Sequence, residues 1–307
     1  MSRVAVLQGG RSLERQVSLR SGARVTDALE RLGHDVVVID VGPDLVDRLR
    51  DVRPDVAFIA LHGRDGEDGT VQELLELVGV PYTGSGISAC IRSFDKVLAK
   101  HAFRDAGIPT PDFFAFTETA FKALGAANAL PEIEERLDFP IVVKPAGQGS
   151  ALGIKFADNA GAVPAALLAA FSYDDKVLLE RFVHGPDLAI SVLDGEALPI
   201  VEAVPVGERY DFEARYTVGQ TEFVCPAQLP DGVTEAAQEL AVRVWDVLGM
   251  RGMARVDVML SEETGDLHVL EANAIPGLTD ISLLPQAAEA AGISYDELIQ
   301  RLLDLAA

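Results

Sequence analysis

Two short segments toward the C-terminal end, 254–260 (ARVDVML) and 270–274 (LEANA), carry oxygen donors at a spacing of two. Side chains alternate across an extended strand. Arg255, Asp257 and Met259 therefore share one face, Val256 and Val258 the other, and Glu271 and Asn273 likewise share a face. If the two strands pair as an antiparallel hairpin across the loop around Glu262 to Asp266, one surface offers Asp257, Glu271 and Asn273 with Arg255 beside them. Hard oxygen donors without His or Cys select Mg²⁺ over zinc, and Mg²⁺ held by few carboxylates is commonly completed by substrate phosphates. The plainer alternative is the polar face of an ordinary hairpin.

A second segment, 142–153 (VVKPAGQGSALG), runs from an apolar strand into glycines at 147, 149 and 153, with Lys144 at the entry. Glycine lets backbone N–H groups approach phosphate oxygens closely, and lysine adds a compact positive charge. The spacing is not that of a Walker A loop. A flexible hairpin turn is an equally good reading of this segment alone. The chain holds 26 Lys plus Arg against 48 Asp plus Glu, a formal charge of −22. Such a chain repels nucleic acid and anionic lipid, so neither is an expected partner. An anionic ligand needs a local cluster of cations, and lysine is scarce: Lys96, Lys100, Lys122, Lys144, Lys155 and Lys176 are all there are. Lys96 and Lys144, beside a hinge and a strand, are the candidates. Lys100, Lys122 and Lys176 read as solvated surface residues.

The elements that must position these groups fall into three stretches. Through residue 92, short apolar runs at Val4 to Leu7, Val36 to Ile39 and Val56 to Leu61 alternate with helical patterns. One of these is Leu19, Gly22, Val25, Leu29 and Leu32, and the alternation is the signature of a doubly wound parallel sheet. From 93 to 183 the texture becomes β-rich, after a Pro/Gly cluster at 107–111 that serves as a hinge. From 184 to 307 come alternating strands, a helix from Val233 to Leu248, the donor-bearing pair and two terminal helices. The last helix is opened by a capping box at Ser294 and Glu297. Cys90 and Cys225 stand far apart and give no disulfide framework or zinc ribbon. No signal-peptide core and no run of about 18 apolar residues occurs, so a cytoplasmic protein is expected.

Taken in order, residues 9–19 (GGRSLERQVSL), 60–69 (ALHGRDGEDG), 81–86 (PYTGSG), 93–96 (SFDK), 143–145 (VKP), 223–227 (FVCPA), 271–279 (EANAIPGLT) and 282–285 (SLLP) resemble the ATP-grasp enzymes. Within them they closely resemble the D-alanine:D-alanine ligase family. The resemblance covers essentially the whole chain and implies an α/β ATP-grasp fold: an N-terminal doubly wound domain plus two α+β domains clamping ATP. It also implies a two-step ligation for peptidoglycan precursor synthesis, in which a D-alanine carboxylate attacks the γ-phosphate of ATP and the amine of a second D-alanine displaces phosphate from the acyl phosphate. Two Mg²⁺, replaceable by Mn²⁺, would sit on Asp257, Glu271 and Asn273, with Glu271 bridging. Lys96 and Lys144 would hold phosphate oxygens, with Gly149, Ser150 and Arg215 also on the nucleotide, and Glu180, Val183 and Asp187 would hold adenine and ribose. Arg255 and the backbone N–H of Gly277 would stabilise the tetrahedral oxyanion.

The same resemblance implies that Glu14 takes the first ammonium, supported by His62 and Glu67, and that Ser282 and the backbone of Leu283 bind the second carboxylate. Ser150 and Tyr216 would link Glu14 to a loop at about 206–220 that closes over the reacting groups. Tyr216 favours an amine acceptor, D-alanine, over D-lactate or D-serine. A homodimer is the family precedent. Four positions depart from the pattern: Ala151 for a second serine, Arg215 for a lysine, Ala274 for a threonine, and Asp280 for a small neutral residue. Asp280 puts a negative charge into the segment expected to meet the second carboxylate, and like charges oppose each other at such range. A related ATP-grasp carboxylate-amine ligase with a different acceptor, or a non-catalytic nucleotide-binding protein, are the alternatives. The complete set of Asp257, Glu271, Asn273 and Arg255 disfavours a pure binder.

Overall fold

The structure, a computed structural model, describes residues 1–207 and 220–306. It begins with β1 (Arg3–Gln8), α1 (Arg15–Arg31), β2 (Asp35–Asp40), α2 (Leu45–Val52), β3 (Val56–Ile59), α3 (Thr70–Val78), α4 (Ile87–Phe94) and α5 (Lys96–Asp105). β1 pairs in parallel with both β2 and β3, giving the order β2-β1-β3. Val4 to Leu7 and Val56 to Ile59 are buried on both faces, as a parallel sheet covered by helices requires. The inward face of α1 is Ser18, Ser21, Gly22, Val25, Ala28 and Leu29, so the helix is turned from the expected stripe: Leu32 at its end is exposed. Small residues there let α1 lie close to the sheet, and two serines point into the interior.

Next come β4 (Phe113–Thr117), α6 (Glu118–Ala123), α7 (Leu130–Leu137), β5 (Ile141–Pro145), β6 (Lys155–Ala157), α8 (Val163–Phe171) and β7 (Lys176–Arg181). These strands form an antiparallel sheet in the order β4-β7-β5-β6, with its own core built on Ile141, Val143, Leu167 and Leu179. The rest is β8 (Asp187–Leu193), β9 (Glu196–Ala197), β10 (Val201–Pro205), β11 (Thr221–Val224), α9 (Val233–Leu248), β12 (Met253–Leu260), β13 (Leu267–Asn273), α10 (Leu283–Ala290) and α11 (Tyr295–Asp304). The third sheet runs β11-β10-β8-β12-β13, with β9 on β8. Its core is continuous with that of the N-terminal sheet. Of the expected capping box the N-cap half forms, Ser294 Oγ accepting from Glu297 N at 3.3 Å, while the Glu297 carboxylate accepts from Arg301. Among the described residues, no helix is long and apolar enough to cross a membrane.

The β12–β13 register settles how the donor face is built. Arg255 lies opposite Asn273 and Asp257 opposite Glu271, but the register then slips, and Val258 lies opposite Val269. Leu270 is the extra residue, a β-bulge. On a flat strand Leu270 and Glu271 would point to opposite faces. The bulge lets both line one cavity.

Candidate active site

Two cavities meet at this hairpin. One, of about 310 Å³, lies between the second and third sheets, walled by apolar groups such as Ile154, Phe156, Met259 and Leu270, with Lys144, Glu180, Val183 and Asp187 on its edge. A slot with apolar walls and polar groups among them suits an apolar ring bearing hydrogen-bonding edges. The other, of about 290 Å³, is bounded by Glu14, His62, Ser150, Gly277, Ser282 and Leu283. Asp257 and Glu271 open on the first cavity, whereas Arg255 and Asn273 open on the second. The four expected residues therefore stand on the partition between them.

On the partition, Arg255 clasps Asp257 with two parallel hydrogen bonds, Nε to Oδ1 at 2.7 Å and Nη2 to Oδ2 at 2.8 Å. Asn273 Nδ2 donates to Asp257 Oδ2 at 3.3 Å. Asp257 is only 4% exposed. Lys96 Nζ lies 3.1 Å from Glu271 Oε2 and donates to the carbonyl of Gln148 at 2.6 Å. Two carboxylates on the side of the first cavity, with an amide oxygen on the partition beside them and no sulfur or imidazole among them, match the donor chemistry of Mg²⁺, with Arg255 and Lys96 as their present partners.

Lys96 is placed by its helix. Asp95 caps α5, accepting from Val97 N at 2.9 Å and Leu98 N at 3.1 Å, and Lys176 holds the same carboxylate at 2.7 Å. Lys96 N donates to Ala146 O at 3.0 Å, so the helix start is tied to the glycine segment. In that segment Ser150 and Ala151 both adopt left-handed φ, +54° and +55°. Two consecutive non-glycine residues there carry backbone strain, which recurs at ligand clamps. Ser150 Oγ donates to Glu14 Oε1.

Glu14 is 8% exposed and its Oε2 has no hydrogen-bond partner among the described residues. A Cβ added to Gly149 would stand 2.8 Å from that oxygen, and one on Gly63 2.5 Å from it. The carboxylate thus rests between two backbones that only glycine allows to approach. Burial, followed by the nearby charge of Glu67, raises the Glu14 carboxyl above its ordinary value, while the Ser150 hydroxyl opposes this. A buried carboxylate with one oxygen unpartnered, on a residue that lines the cavity, is an acceptor for a cation or an N–H donor brought to it.

His62, 3% exposed, faces the Ile275 carbonyl with Nδ1 at 3.2 Å and Ser21 Oγ with Nε2 at 2.9 Å. A carbonyl cannot donate, so Nδ1 carries the proton there. Glu67 Oε1 lies 3.5 Å from Nδ1 and accepts from Gly63 N at 3.1 Å. Ser21 Oγ in turn accepts from Leu278 N at 3.2 Å. Arg24, from the same helix, donates to Thr279 O at 2.7 Å while stacking 3.8 Å over Tyr295. The 275–282 loop is therefore fastened to α1 at Ser21 and Arg24, and to His62 beyond β3. Ser21 and Arg24 were not expected from sequence; their spacing of three on one helical face was the available signal.

Ser282 Oγ accepts from Thr279 N at 3.0 Å, and Ser282 precedes the first turn of α10, so free backbone N–H groups of that helix open on the cavity with Gly277. Asp280 is exposed and absent from the cavity wall, to which Thr279, Ile281 and Ser282 contribute. The repulsion expected from its charge has no geometric basis. Ala274 is buried, at 1% exposure, where a hydroxyl would need a partner. Arg215 and Tyr216 lie outside the described residues.

One expectation is overturned. Lys100 is not a solvated surface residue: its side chain is 0% exposed, 2.5 Å from Glu180 Oε2. Glu180 Oε1 accepts from Lys144 Nζ at 2.5 Å. Burial pushes the Glu180 carboxyl up, but Lys100 and Lys144 outweigh it and hold it below the ordinary range. Burial lowers the Lys100 ammonium to about 8 despite Glu180. The buried face of α5 reads Lys96, Ala99, Lys100 and Phe103, so both lysines occupy the helical stripe that normally carries apolar groups. Lys122, by contrast, is 59% exposed as expected, and Lys176 is part-buried against Asp95.

Residues 102–304 match the family model described as D-ala D-ala ligase C-terminus, and residues 47–85 match D-ala D-ala ligase N-terminus. The chain is 48% identical over 301 residues to a D-alanine–D-alanine ligase of Syntrophotalea carbinolica, covering 98% of this chain and 95% of that relative. It is 42% identical over 307 residues to one from Moorella thermoacetica, covering 99% of each. Among solved structures, the D-alanine–D-alanine ligase of Bacillus anthracis complexed with ATP is similar with a TM-score of 0.84 at 32% identity, over 99% of this chain and 97% of that one.

Proposed function

The chain belongs to the D-alanine–D-alanine ligase family, and we propose from that premise how its residues carry the ATP-dependent joining of two D-alanine molecules. The observation that carries the reading is the shared partition. Asp257 and Glu271 face the slot suited to a nucleotide, and Arg255 and Asn273, on the same two strands, face the pocket suited to amino acids. A phosphoryl group on one side and a carboxylate on the other are brought into line across it.

Adenine occupies the apolar slot, with Glu180 accepting from its amino group and Asp187 near the ribose. Lys96 and Lys144 hold phosphate oxygens. Asp257, Glu271 and Asn273 would hold two Mg²⁺, which would neutralise charge on the β and γ phosphates. The first D-alanine sets its ammonium on the free oxygen of Glu14, which leaves its carboxylate toward the partition. Its oxygen attacks the γ-phosphorus, ADP leaves, and an acyl phosphate results. The second D-alanine docks its carboxylate on Ser282 and the N-terminus of α10, where unpaired N–H groups favour an anion. Its amine attacks the acyl carbon, Arg255 and the Gly277 N–H receive the charge on the oxygen, and phosphate leaves. Residues 1–92, 93–183 and 184–307 form the three functional divisions, and the enzyme works as a cytoplasmic homodimer supplying peptidoglycan precursors.

Phosphate release from ATP tests the acceptor. It is expected with D-alanine and not with D-lactate, D-serine or no addition; stimulation only by another acceptor would favour a related carboxylate-amine ligase. A pH profile tests Glu14. Ammonium binding requires its ionised form, so kcat/KM for the first D-alanine falls as pH drops toward a carboxyl already raised by burial. The fall therefore begins at higher pH than for an ordinary glutamate. Glu14→Gln should lower kcat/KM and erase that acid limb; a variant retaining the limb assigns it to another group.

A further inference from the structure

Lys100 takes no part in the chemistry outlined above, yet it is as deeply buried as any large side chain of the molecule. A buried ammonium is costly unless paired and hydrogen-bonded. Its partners lie on three different elements. Glu180 of β7 stands at 2.5 Å, and Thr110 Oγ1, in the hinge before β4, accepts from Nζ at 2.5 Å. The Phe113 ring of β4 lies with its centroid 5.4 Å away. Thr110 Oγ1 in turn donates a hydrogen bond to the carbonyl of Val269 at 2.7 Å, one residue before the bulge at Leu270. A chain of polar contacts therefore runs from Glu180 through Lys100 and Thr110 to β13.

Glu180 is gripped from two sides. Lys144 holds Oε1 as an aligned hydrogen bond, whereas Lys100 approaches Oε2 as an ion pair. Lys144 is claimed by phosphate in the reading above, so it cannot alone fix the carboxylate. Lys100 is fully buried and does not line the cavity, so it stays on the carboxylate when phosphate is bound.

We propose that Lys100 is a positioning residue for nucleotide recognition: it holds Glu180 ionised and oriented toward the base slot, and through Thr110 fixes that slot against the strand bearing Glu271 and Asn273. The inference rests on the reading of Glu180 as the group that meets the base. It predicts discrimination as well as affinity. A fixed carboxylate accepts from the amino group of adenine and repels the carbonyl oxygen that guanine carries at the same position.

Lys100→Met keeps the unbranched apolar stem and removes the ammonium and its charge. Binding of a non-hydrolysable ATP analogue with Mg²⁺, measured by calorimetry, should weaken about tenfold, the loss typical of one charged hydrogen bond. The preference for ATP over GTP in KM should shrink in parallel, with kcat at saturating ATP little changed. In the double variant with Glu180→Gln, the loss should exceed that of Glu180→Gln alone by no more than about threefold, the share of the Thr110 link, because residues acting through one another do not add. Losses that multiply, or wild-type affinity in Lys100→Met, would overturn the proposal. If Glu180→Gln itself leaves nucleotide binding unchanged, the assignment of Glu180 to the base fails first, and Lys100 with it. Should Lys100→Met not fold, Thr110→Val removes only the hydroxyl link. It should weaken binding roughly threefold, in the range of one neutral hydrogen bond, and wild-type binding in that variant would equally overturn the proposal.

Discussion

Glu271→Gln should lower kcat by about three orders of magnitude or more while the protein remains folded, since several kcal/mol of charge stabilisation is lost at each tenfold per 1.36 kcal/mol. The substitution keeps the shape of the side chain and removes only its charge. Glu271 is 17% exposed and faces Lys96 Nζ at 3.1 Å, and an amide oxygen can still accept from that ammonium. The loss therefore falls on the cation-binding set, not on packing. Asp257, opposite in the register, has both oxygens bonded to Arg255 and supplies its own share of the set, so it does not replace the charge lost at 271. The checks are steady-state kcat over a range of Mg²⁺ and a thermal melt. A kcat within tenfold of wild type with an unchanged melt would sink the assignment of Glu271 to Mg²⁺.

The second large effect is at Arg255. Arg255→Met removes a proposed oxyanion donor, which typically costs about 10²- to 10³-fold in kcat. It also leaves Asp257, 4% exposed, without its two guanidinium hydrogen bonds, so part of any loss is structural. Arg255→Lys separates the two. A lysine keeps positive charge beside Asp257 but lacks the planar fork that bonds a carboxylate at two points and still presents an edge to substrate. It should recover most of the melting temperature lost in Arg255→Met and little of the kcat. The KM for each D-alanine should change little in either variant, since an interaction made only in the transition state lowers kcat without touching ground-state binding. A rise in KM at constant kcat would make Arg255 a substrate-holding residue instead.

The two lysines of α5 show where local pattern misleads. Lys96 and Lys144 could be singled out because each adjoins a feature of the chain itself, a hinge or a glycine segment. Lys100 sits in mid-helix, four residues after Lys96, and composition makes such a lysine a surface residue. Its burial depends on Glu180, eighty residues on, and on Thr110 arriving from the hinge to receive it. Asp280 shows the converse. Its charge looked disruptive because its neighbours form the pocket, yet the turn between Thr279 and Ser282 leaves it exposed while they line the wall.

The sequence by itself determined how the candidate donors face. Alternation along two strands puts Asp257 beside Arg255 and Glu271 beside Asn273, because side-chain direction in a strand is a local property of the backbone. The long helix at Val233–Leu248 and the N-cap of the last helix were legible for the same reason. Only the tertiary structure decided that Leu270 bulges, so that it and Glu271 line one slot, and that a single hairpin divides two cavities. It alone decided that Ser21 and Arg24 fasten a loop some 250 residues away, and that Lys100 is a buried partner of Glu180. Register, burial and pairing arise between segments brought together by a common core, and no periodicity within one segment encodes which partner it will meet.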